Sequence, residues 1–288
     1  MKWINRNDSE TNYEDRRGRG VKRGITMGGG GILVVLVLSL LLGKNPMQML
    51  ELVGGLTEQS VETVDESQAK ENEDLKDFTL GVFNSANDVW SEIFRNRLEK
   101  NYKAPVLVTF TGQTQSGCGA ASSSSGPFYC PADEKVYIDL AFFYELANRF
   151  KAPGDLAMAY VTAHEVGHHI QKQLGILDQV QQLRSRLSEA QYNKMNVKLE
   201  LQADFFAGLW AYHAQKMNII ELEQGDLESA IKAAQAIGDD TLQKEAQGYA
   251  VPDSFTHGTS AQRMYWFNKG FQTGDYSQGD TFNDPSLN

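Results

Sequence analysis

The chain has 288 residues, of which 41% are hydrophobic and 10% aromatic, a composition that supports a substantial core and excludes an intrinsically disordered protein. Its formal net charge is −10, although residues 1–23 carry seven Lys/Arg against four Asp/Glu. An acidic body excludes nucleic acid as the main partner, because phosphate binding requires a basic face.

Residues 24–43 form an uncharged, apolar run centred on Ile32–Leu38. Twenty helical residues rise about 30 Å, the thickness of the hydrocarbon core of a bilayer, so the run predicts one transmembrane helix. A cleaved signal peptide is the alternative, but the Lys-Asn-Pro-Met-Gln sequence at 44–48 contains no small-x-small cleavage site. By the positive-inside rule, the basic residues before the run predict a cytoplasmic N-terminus.

The predicted anchor divides the chain into four segments. We expect a basic cytoplasmic tail at 1–23, the transmembrane anchor at 24–43, an acidic linker at 44–77 and a folded domain at 78–288. This orientation predicts a single-pass protein of the inner (cytoplasmic) membrane whose folded domain is periplasmic or extracellular.

The folded domain mixes helical and strand-like patterns of apolar residues. In chain order, these patterns predict a helix at 80–102, a strand at 105–110, a Gly/Ser/Cys loop at 112–131, a strand at 136–140, and helices at 141–150, 154–174, 177–217 with a break, 226–247 and from about 260. The predicted fold class is therefore α+β, mostly helical with a small sheet.

Cys118 and Cys130 are the two cysteines of the sequence, and both follow the predicted anchor. In an exported domain, an even number of cysteines favours a disulfide, which would close a short Gly/Ser-rich loop here. Two free buried thiols or half of a metal site are the alternatives. The eleven residues between them do not match the close cysteine pairs of zinc sites.

The segment Ala-His-Glu-Val-Gly-His-His at 163–169 contains the residues with the clearest chemistry. On a helix, His164 and His168 are one turn apart and share a face, so both imidazoles can bind one Zn²⁺. Glu165 can act as general base towards a water whose pKa the metal lowers to about 7. His169 points away from this face, and we interpret it as structural.

A third ligand is available 32 residues after His168, where Glu200 and Asp204 stand one helical turn apart. Glu200 can bind the metal, while Asp204 can accept a hydrogen bond from a ligand histidine and fix its tautomer. The alternative is a plain pair of surface carboxylates, but like charges at this spacing repel and the neighbouring residues are apolar. We interpret His213, further along this helix, as a surface or core residue.

These motifs occur together in a known family. The chain resembles the bacterial family of "putative neutral zinc metallopeptidases", which are single-span zincins, over nearly its whole length. The resemblance rests on the basic N-terminus, the apolar run, the H-E-x-x-H helix and the segments 118–119, 126–131, 136–140 and 255–258. It implies a zincin-like metallopeptidase domain in which His164, His168 and Glu200 bind Zn²⁺ and water takes the fourth position. The Glu-x-x-Ala-Asp arrangement is also similar to that of membrane zinc proteases of the HtpX type, where the Glu is the third ligand.

His257 lies in the last of these segments. Related peptidases place a late histidine where it donates a hydrogen bond to the oxyanion of the tetrahedral intermediate, so the resemblance implies a catalytic role for His257. The alternative is a histidine near a helix start, with Thr259 or Ser260 as the N-cap. Arg263 and Tyr265 could contact substrate, but the sequence does not distinguish them from ordinary helix residues.

The resemblance also concerns the strand around Ile138. Zincins place an edge strand before the active-site helix, so we expect this strand to pair through its main chain with an extended peptide substrate. Such pairing provides affinity with little sequence selectivity.

Together, these observations predict a zinc-dependent endopeptidase that hydrolyses peptide bonds outside the cytoplasm. Its partners would be a peptide or protein substrate and, through one N-terminal helix, a membrane; the oligomeric state stays open. A zincin-fold scaffold without turnover is an alternative, although a scaffold has no need of the base Glu165. A membrane-tethered assembly factor is another. Two imidazoles and a carboxylate suit zinc without excluding other divalent ions.

Overall fold

The structure is a computed structural model that describes residues 1–18 and 66–287. The predicted transmembrane run at 24–43 and most of the predicted linker lie outside these residues. Within the described ranges, no helix is both long enough and apolar enough to cross a bilayer.

Helices make up most of the described structure. They are α1 (Glu66–Asn96), α2 (Ala141–Asn148), α3 (Asp155–Gln173), α4 (Ile176–Leu183), α5 (Glu189–Lys216), α6 (Asp226–Ala236), α7 (Asp239–Gln247) and α8 (Ser260–Thr273). The strands are β1 (Lys2–Trp3), β2 (Tyr13–Asp15), β3 (Val106–Phe110), β4 (Gln113–Ser116), β5 (Gly119–Ser122), β6 (Phe128–Cys130), β7 (Lys135–Asp139) and β8 (Ile220–Glu221). The α+β class with a helical majority is confirmed.

Two predicted helical stretches have different outcomes. The break expected within 177–217 separates α4 from α5. The single helix expected at 226–247 is wrong, because the chain divides into α6 and α7. At this break the hydroxyl of Ser260 donates to the carbonyl oxygen of Gln235, 2.7 Å away, so a contact distant in sequence ends α6. The break places Asp239 at the start of α7, beside the segment that contains His257.

The main sheet has the strand order β2-β3-β7-β6. Strand β3 runs parallel to β2 and to β7, whereas β6 runs antiparallel to β7. Residues 107–110 and 136–139 are buried without interruption, as expected for parallel strands covered on both faces. The sheet thus forms part of the core, next to the helix that contains the histidines.

The strand that contains Ile138 is not the expected edge strand, although its pairing with β6 covers Lys135, Val136 and Tyr137 and stops before Ile138. Ile138 lies on β7, which pairs with β3 on one side and β6 on the other, and its direct partner on β3 is Thr109. The edge next to β7 is formed by β6, a three-residue strand in the region that the sequence predicts as a loop. Such a short strand has no detectable alternation, so its addition to the sheet was not predictable from sequence.

Residues 1–18 are part of the folded unit that contains residues 74–287. Strand β1 pairs with β8, and β2 adds to the main sheet beside β3. The side-chain amide of Asn84 on α1 donates to the carbonyl oxygens of Asn7 and Ser9 at 2.8 and 2.9 Å. This segment, predicted as a separate tail, therefore contributes backbone pairing to the domain.

The two helices that contain the predicted metal ligands are in direct contact. Gly167 on α3 faces Ala203 on α5, where an added Cβ atom would lie 3.2 Å from the Ala203 Cα and carbonyl oxygen. A larger side chain at Gly167 would force the helices apart. This contact brings the residues next to Gly167 within reach of those next to Ala203.

The predicted disulfide between Cys118 and Cys130 is present. It joins the end of the β4–β5 hairpin to strand β6. The segment 123–127 between the hairpin and β6 lines a cleft on the domain. The disulfide therefore attaches one wall of this cleft to the main sheet.

Candidate metal centre

Helix α3 presents His164 and His168 one turn apart, and helix α5 presents Glu200 opposite them. Nε2 of His164 lies 3.2 Å from Oε2 of Glu200, and Nε2 of His168 lies 3.4 Å from Oε1. One possible ligand atom from each of the three residues lies within 4.8 Å of the other two. The structure thus brings together the three residues that the sequence predicts as ligands.

These distances fit a tetrahedral zinc site. With ligand bonds of about 2.1 Å, tetrahedral geometry separates neighbouring ligand atoms by about 3.4 Å. The contacts of both imidazoles with Glu200 have this length. Three protein ligands leave the fourth position for water or substrate, as in catalytic zinc sites.

Both histidines use their other ring nitrogen for a hydrogen bond. Nδ1 of His164 lies 2.9 Å from Oδ1 of Asp204, and Nδ1 of His168 lies 2.9 Å from Oε1 of Gln171. Because both partners are acceptors, each neutral ring carries its proton on Nδ1 and leaves the Nε2 lone pair for a metal. Asp204 therefore has the position expected from the sequence, whereas Gln171 was not predicted.

Asp204 is the centre of a buried network from three helices. Its Oδ1 also accepts from the hydroxyl of Tyr160 at 2.5 Å and from Nη2 of Arg263 at 2.9 Å, and its Oδ2 accepts from Nε of Arg263 at 2.9 Å. Arg263 is 2% exposed, and Tyr160 and Asp204 are fully buried. Arg263 is thus a partner of Asp204 rather than an ordinary helix residue.

Burial and charge compete in this cluster when no metal is bound. Burial alone would lower the pKa of His164, but the hydrogen bond and the charge of Asp204 outweigh it and raise that pKa to about 10. Burial would raise the pKa of Glu200, yet the charge of His168 and the hydrogen bond from His164 hold it well below its usual range. The ionised Glu200 and Asp204 therefore favour positive charge at this position, which a divalent cation supplies.

A family model described as "Putative neutral zinc metallopeptidase" matches residues 1–282. This chain belongs to that family. It is 44% identical to the uncharacterized protein YpfJ of Escherichia coli (strain K12), over 98% of this chain and 99% of the relative. It is 36% identical to the uncharacterized protein Rv2575 of Mycobacterium tuberculosis (strain H37Rv), over 86% of each chain. No solved structure matches the chain.

In this member of the zinc metallopeptidase family, the histidine cluster opens into a cleft of about 680 Å³. Glu165 lines the cleft beside His164 and His168 and is 7% exposed. Among the described residues, no side chain forms a hydrogen bond with its carboxylate. Glu165 is therefore available to a molecule bound in the cleft.

His257 lines the same cleft, and its side chain is half-exposed. Its Nδ1 lies 3.1 Å from Oδ1 of Asp239. Oδ2 of Asp239 accepts from the backbone N–H groups of Thr256, His257 and Gly258 at 2.6 to 3.0 Å. The hydrogen bond from His257 to Asp239, which outweighs burial, raises the pKa of His257. Asp239 thus fixes the backbone and the ring of His257, a role that the sequence does not reveal because Asp239 lies 18 residues earlier.

The remaining predicted histidine positions are structural. His169 is fully buried, with Nδ1 3.0 Å from the hydroxyl of Tyr129 and Nε2 2.7 Å from the carbonyl oxygen of Lys103. His213 bonds through Nε2 to the carbonyl oxygen of Gly274 at 2.9 Å. Neither belongs to the cluster formed with Glu200 among the described residues.

Proposed function

We propose that this chain is a zinc-dependent endopeptidase of the zincin type that hydrolyses peptide bonds in the cleft lined by Glu165 and His257. One observation carries this proposal. The Nε2 atoms of His164 and His168 converge on the two oxygens of Glu200, while their Nδ1 atoms are held by acceptors. This is the donor set and orientation of a catalytic zinc site with an open fourth position.

Zinc, when bound, acidifies a water molecule and polarises the substrate carbonyl. Glu165 accepts the proton of the attacking water and transfers it to the departing amine, as its place beside the ligands and its free carboxylate allow. His257, held by Asp239, donates from Nε2 to the oxyanion when the ring is protonated. Its raised pKa keeps the ring protonated to higher pH than an ordinary histidine.

The substrate would be an extended peptide rather than a folded surface. Strand β6 is one of the two edge strands of the main sheet, and its first residue, Phe128, lines the cleft together with the preceding segment 123–127. An edge strand can pair with the main chain of a peptide, which aligns the scissile bond with little dependence on sequence. This role, expected of the strand around Ile138, is therefore proposed for β6.

We place the catalytic domain outside the cytoplasm. The disulfide between Cys118 and Cys130 favours an oxidising compartment, because cytosolic thiols are kept reduced. The apolar run at 24–43 supports attachment to the inner membrane. The partners would then be an extracytoplasmic peptide or protein and the lipid bilayer, with no nucleic acid.

The proposal is tested with the detergent-solubilised full chain, a diverse peptide mixture and mass spectrometry of the products. The matched control is Glu165→Gln, which should retain the metal and lose the base, lowering the cleavage rate by about 10²- to 10⁴-fold. Cleavage that needs Glu165 and stops with a chelator would support the proposal. Absence of Glu165-dependent cleavage by folded, zinc-loaded protein would contradict it and favour a scaffold or an assembly factor.

A further inference from the structure

Arg263 is a buried cation that the proposed mechanism does not use. Its guanidinium binds both oxygens of Asp204 and the hydroxyl of Tyr160, and its Nη2 lies 3.5 Å from Nδ1 of His164. Because the guanidinium is planar and binds through two nitrogens, it fixes the plane of the carboxylate as well as its charge. The orientation of Asp204 in turn determines where Nδ1 of His164 finds its acceptor.

Arg263 reaches Asp204 because the backbones of α5 and α8 touch. A Cβ atom at Gly208 would lie 2.0 Å from the carbonyl oxygen of Phe267, and one at Gly270 would lie 2.1 Å from that of Phe205. No side chain fits at either glycine without moving a backbone. This crossing holds α8 against the segment of α5 that contains Asp204, one turn before Gly208.

We propose that Arg263 is a positioning residue for the metal ligand His164. By holding both oxygens of Asp204, it keeps the proton of His164 on Nδ1 and directs Nε2 towards Glu200. Lysine at this position would keep the positive charge but lose the two-nitrogen geometry. The inference rests on the metal site proposed above and adds a residue from a third helix to it.

The test compares zinc affinity, by competition with a chelator of known affinity, for the unmodified full chain and Arg263→Lys. Loss of a partner that orients a metal ligand typically lowers metal affinity by about 10- to 100-fold, and we expect a loss in that range. Arg186→Lys, at an exposed position on the segment after α4, is the matched control and should stay within about twofold.

A second measurement separates positioning from a general structural role. The rise in melting temperature on adding zinc should be smaller for Arg263→Lys than for the unmodified chain. If the role of Arg263 were purely structural, the substitution would lower the melting temperatures of the zinc-free and the zinc-bound protein equally, and the rise would stay the same. Folded Arg263→Lys with unchanged zinc affinity and an unchanged zinc-induced rise would overturn the inference. If the unmodified chain binds no zinc, the metal site itself fails instead.

A different observation concerns residues 1–18. Strand β2 pairs with β3 at three positions, Tyr13↔Leu107, Glu14↔Val108 and Asp15↔Thr109, and β1 pairs with β8 through Lys2↔Glu221 and Trp3↔Ile220. The side chain of Arg16 extends this contact, because its Nη1 donates to the carbonyl oxygen of Gln115 at 2.8 Å. The segment is thus bound to the domain at two separate places.

This pairing restricts the path of the chain relative to a membrane. Backbone hydrogen bonds form only between groups in contact, so β2 and β3 must lie in one compartment. A single crossing by the apolar run at 24–43 would place residues 1–18 and the domain on opposite sides. The observed pairing therefore requires residues 1–18 and the domain to lie on the same side of a membrane.

We infer that residues 1–18 share the compartment of the metallopeptidase domain, whereas the positive-inside rule predicts that a single crossing separates them. The reason is that the rule considers only the flanking charges, whereas the four basic residues within residues 1–18 form ion pairs in the folded domain. Arg16 and Arg17, for example, form ion pairs with Glu14 and Asp15. This inference stands independently of the metal site.

The test labels single cysteines with a membrane-impermeant maleimide in spheroplasts that express the full chain. Ile4→Cys reports on the N-terminal segment and Tyr249→Cys on the domain, since these side chains are 49% and 62% exposed. The native cysteines are joined in the disulfide and do not react. Equal labelling of both variants before lysis is the expected result.

Two further outcomes are informative. Labelling of both variants only after lysis would support the shared compartment but contradict the proposal that the domain lies outside the cytoplasm. Labelling of Tyr249→Cys before lysis and of Ile4→Cys only afterwards would overturn the inference. As a direct check of pairing, Lys2→Cys/Glu221→Cys should form a cross-strand disulfide in the membrane-bound protein, whereas Lys2→Cys/Arg97→Cys should not.

Discussion

The two histidines of the proposed metal centre are held in chemically different ways. His164 bonds to Asp204, which is fully buried and bound by the charged guanidinium of Arg263. His168 bonds to Gln171, a neutral amide whose Nε2 donates to the carbonyl oxygen of Leu199 at 2.7 Å. The charged half of the site, His164 with Asp204 and Arg263, therefore depends on paired charges. The neutral half, His168 with Gln171, depends on amide hydrogen bonds.

This difference predicts which half of the site is more sensitive to substitution. A buried charge that loses its partner keeps its full desolvation cost, whereas a buried amide that loses one partner leaves a neutral group unsatisfied. The charged half also connects three helices, α3, α5 and α8. We therefore expect the largest effects of substitution around His164 and the smaller ones around His168.

The sharpest test of this comparison is Asp204→Asn. The substitution keeps the shape but leaves Arg263 buried without an anion, so we expect the free energy of unfolding to fall by about 3–5 kcal/mol, measured by chemical denaturation. Zinc affinity should fall as well, because His164 loses its charged acceptor. Asp253→Asn, at an exposed position, is the matched control. An Asp204→Asn protein as stable as the unmodified chain would contradict the expectation that the charged half is the more sensitive one.

The second test uses pH. In the metal-free protein the pKa of His164 is raised from 6.5 to about 10, so this proton stabilises the fold fully below pH 6.5, and the contribution is lost as pH rises through about 10. Zinc would displace the same proton, and because the pKa of His168 is raised as well, its affinity should rise about tenfold or more per pH unit from neutrality towards pH 10. Calorimetry in buffers of different ionisation enthalpy measures the proton released. Zinc binding without proton release at pH 7.5 would contradict the expectation.

The third test concerns the neutral half of the site. Gln171→Ala removes the amide oxygen that accepts from His168 and the amide nitrogen that donates to the carbonyl oxygen of Leu199. We expect a loss of about 1–3 kcal/mol in the free energy of unfolding and about tenfold in zinc affinity. Gln182→Ala, at an exposed position on α4, is the control for the loss of a helical glutamine. If Gln171→Ala costs more stability than Asp204→Asn, the ranking of the two halves is reversed.

The smallest effect is expected for Tyr160→Phe. The hydroxyl of Tyr160 is one of several donors to Asp204, so its removal leaves the carboxylate bound by Arg263 and His164. We expect a loss of about 1 kcal/mol in stability and a change of only a few-fold in zinc affinity. An effect as large as that of Asp204→Asn would show that Tyr160, rather than Arg263, holds the carboxylate.

Some features follow from the sequence because their physical basis is local. A four-residue spacing puts His164 and His168 on one helical face, and the same spacing relates Glu200 to Asp204, whatever the rest of the fold does. The pairing of Cys118 with Cys130 follows from their being the two cysteines of the chain. The helical majority likewise follows from apolar periodicity within each segment.

Other features depend on contacts between residues distant in sequence. Gln171, Tyr160 and Arg263 look like ordinary helix residues until α3, α5 and α8 pack together. Strand β6 and the strands of residues 1–18 are too short to show alternation, so only their partners in the sheet reveal them. The spacing of residues along one helix determined the candidate ligands, whereas the packing of helices and strands decided what holds those ligands and where the N-terminal segment lies. The physical reason is that helical periodicity acts over a few residues, while close helix contacts and strand pairing depend on the whole fold.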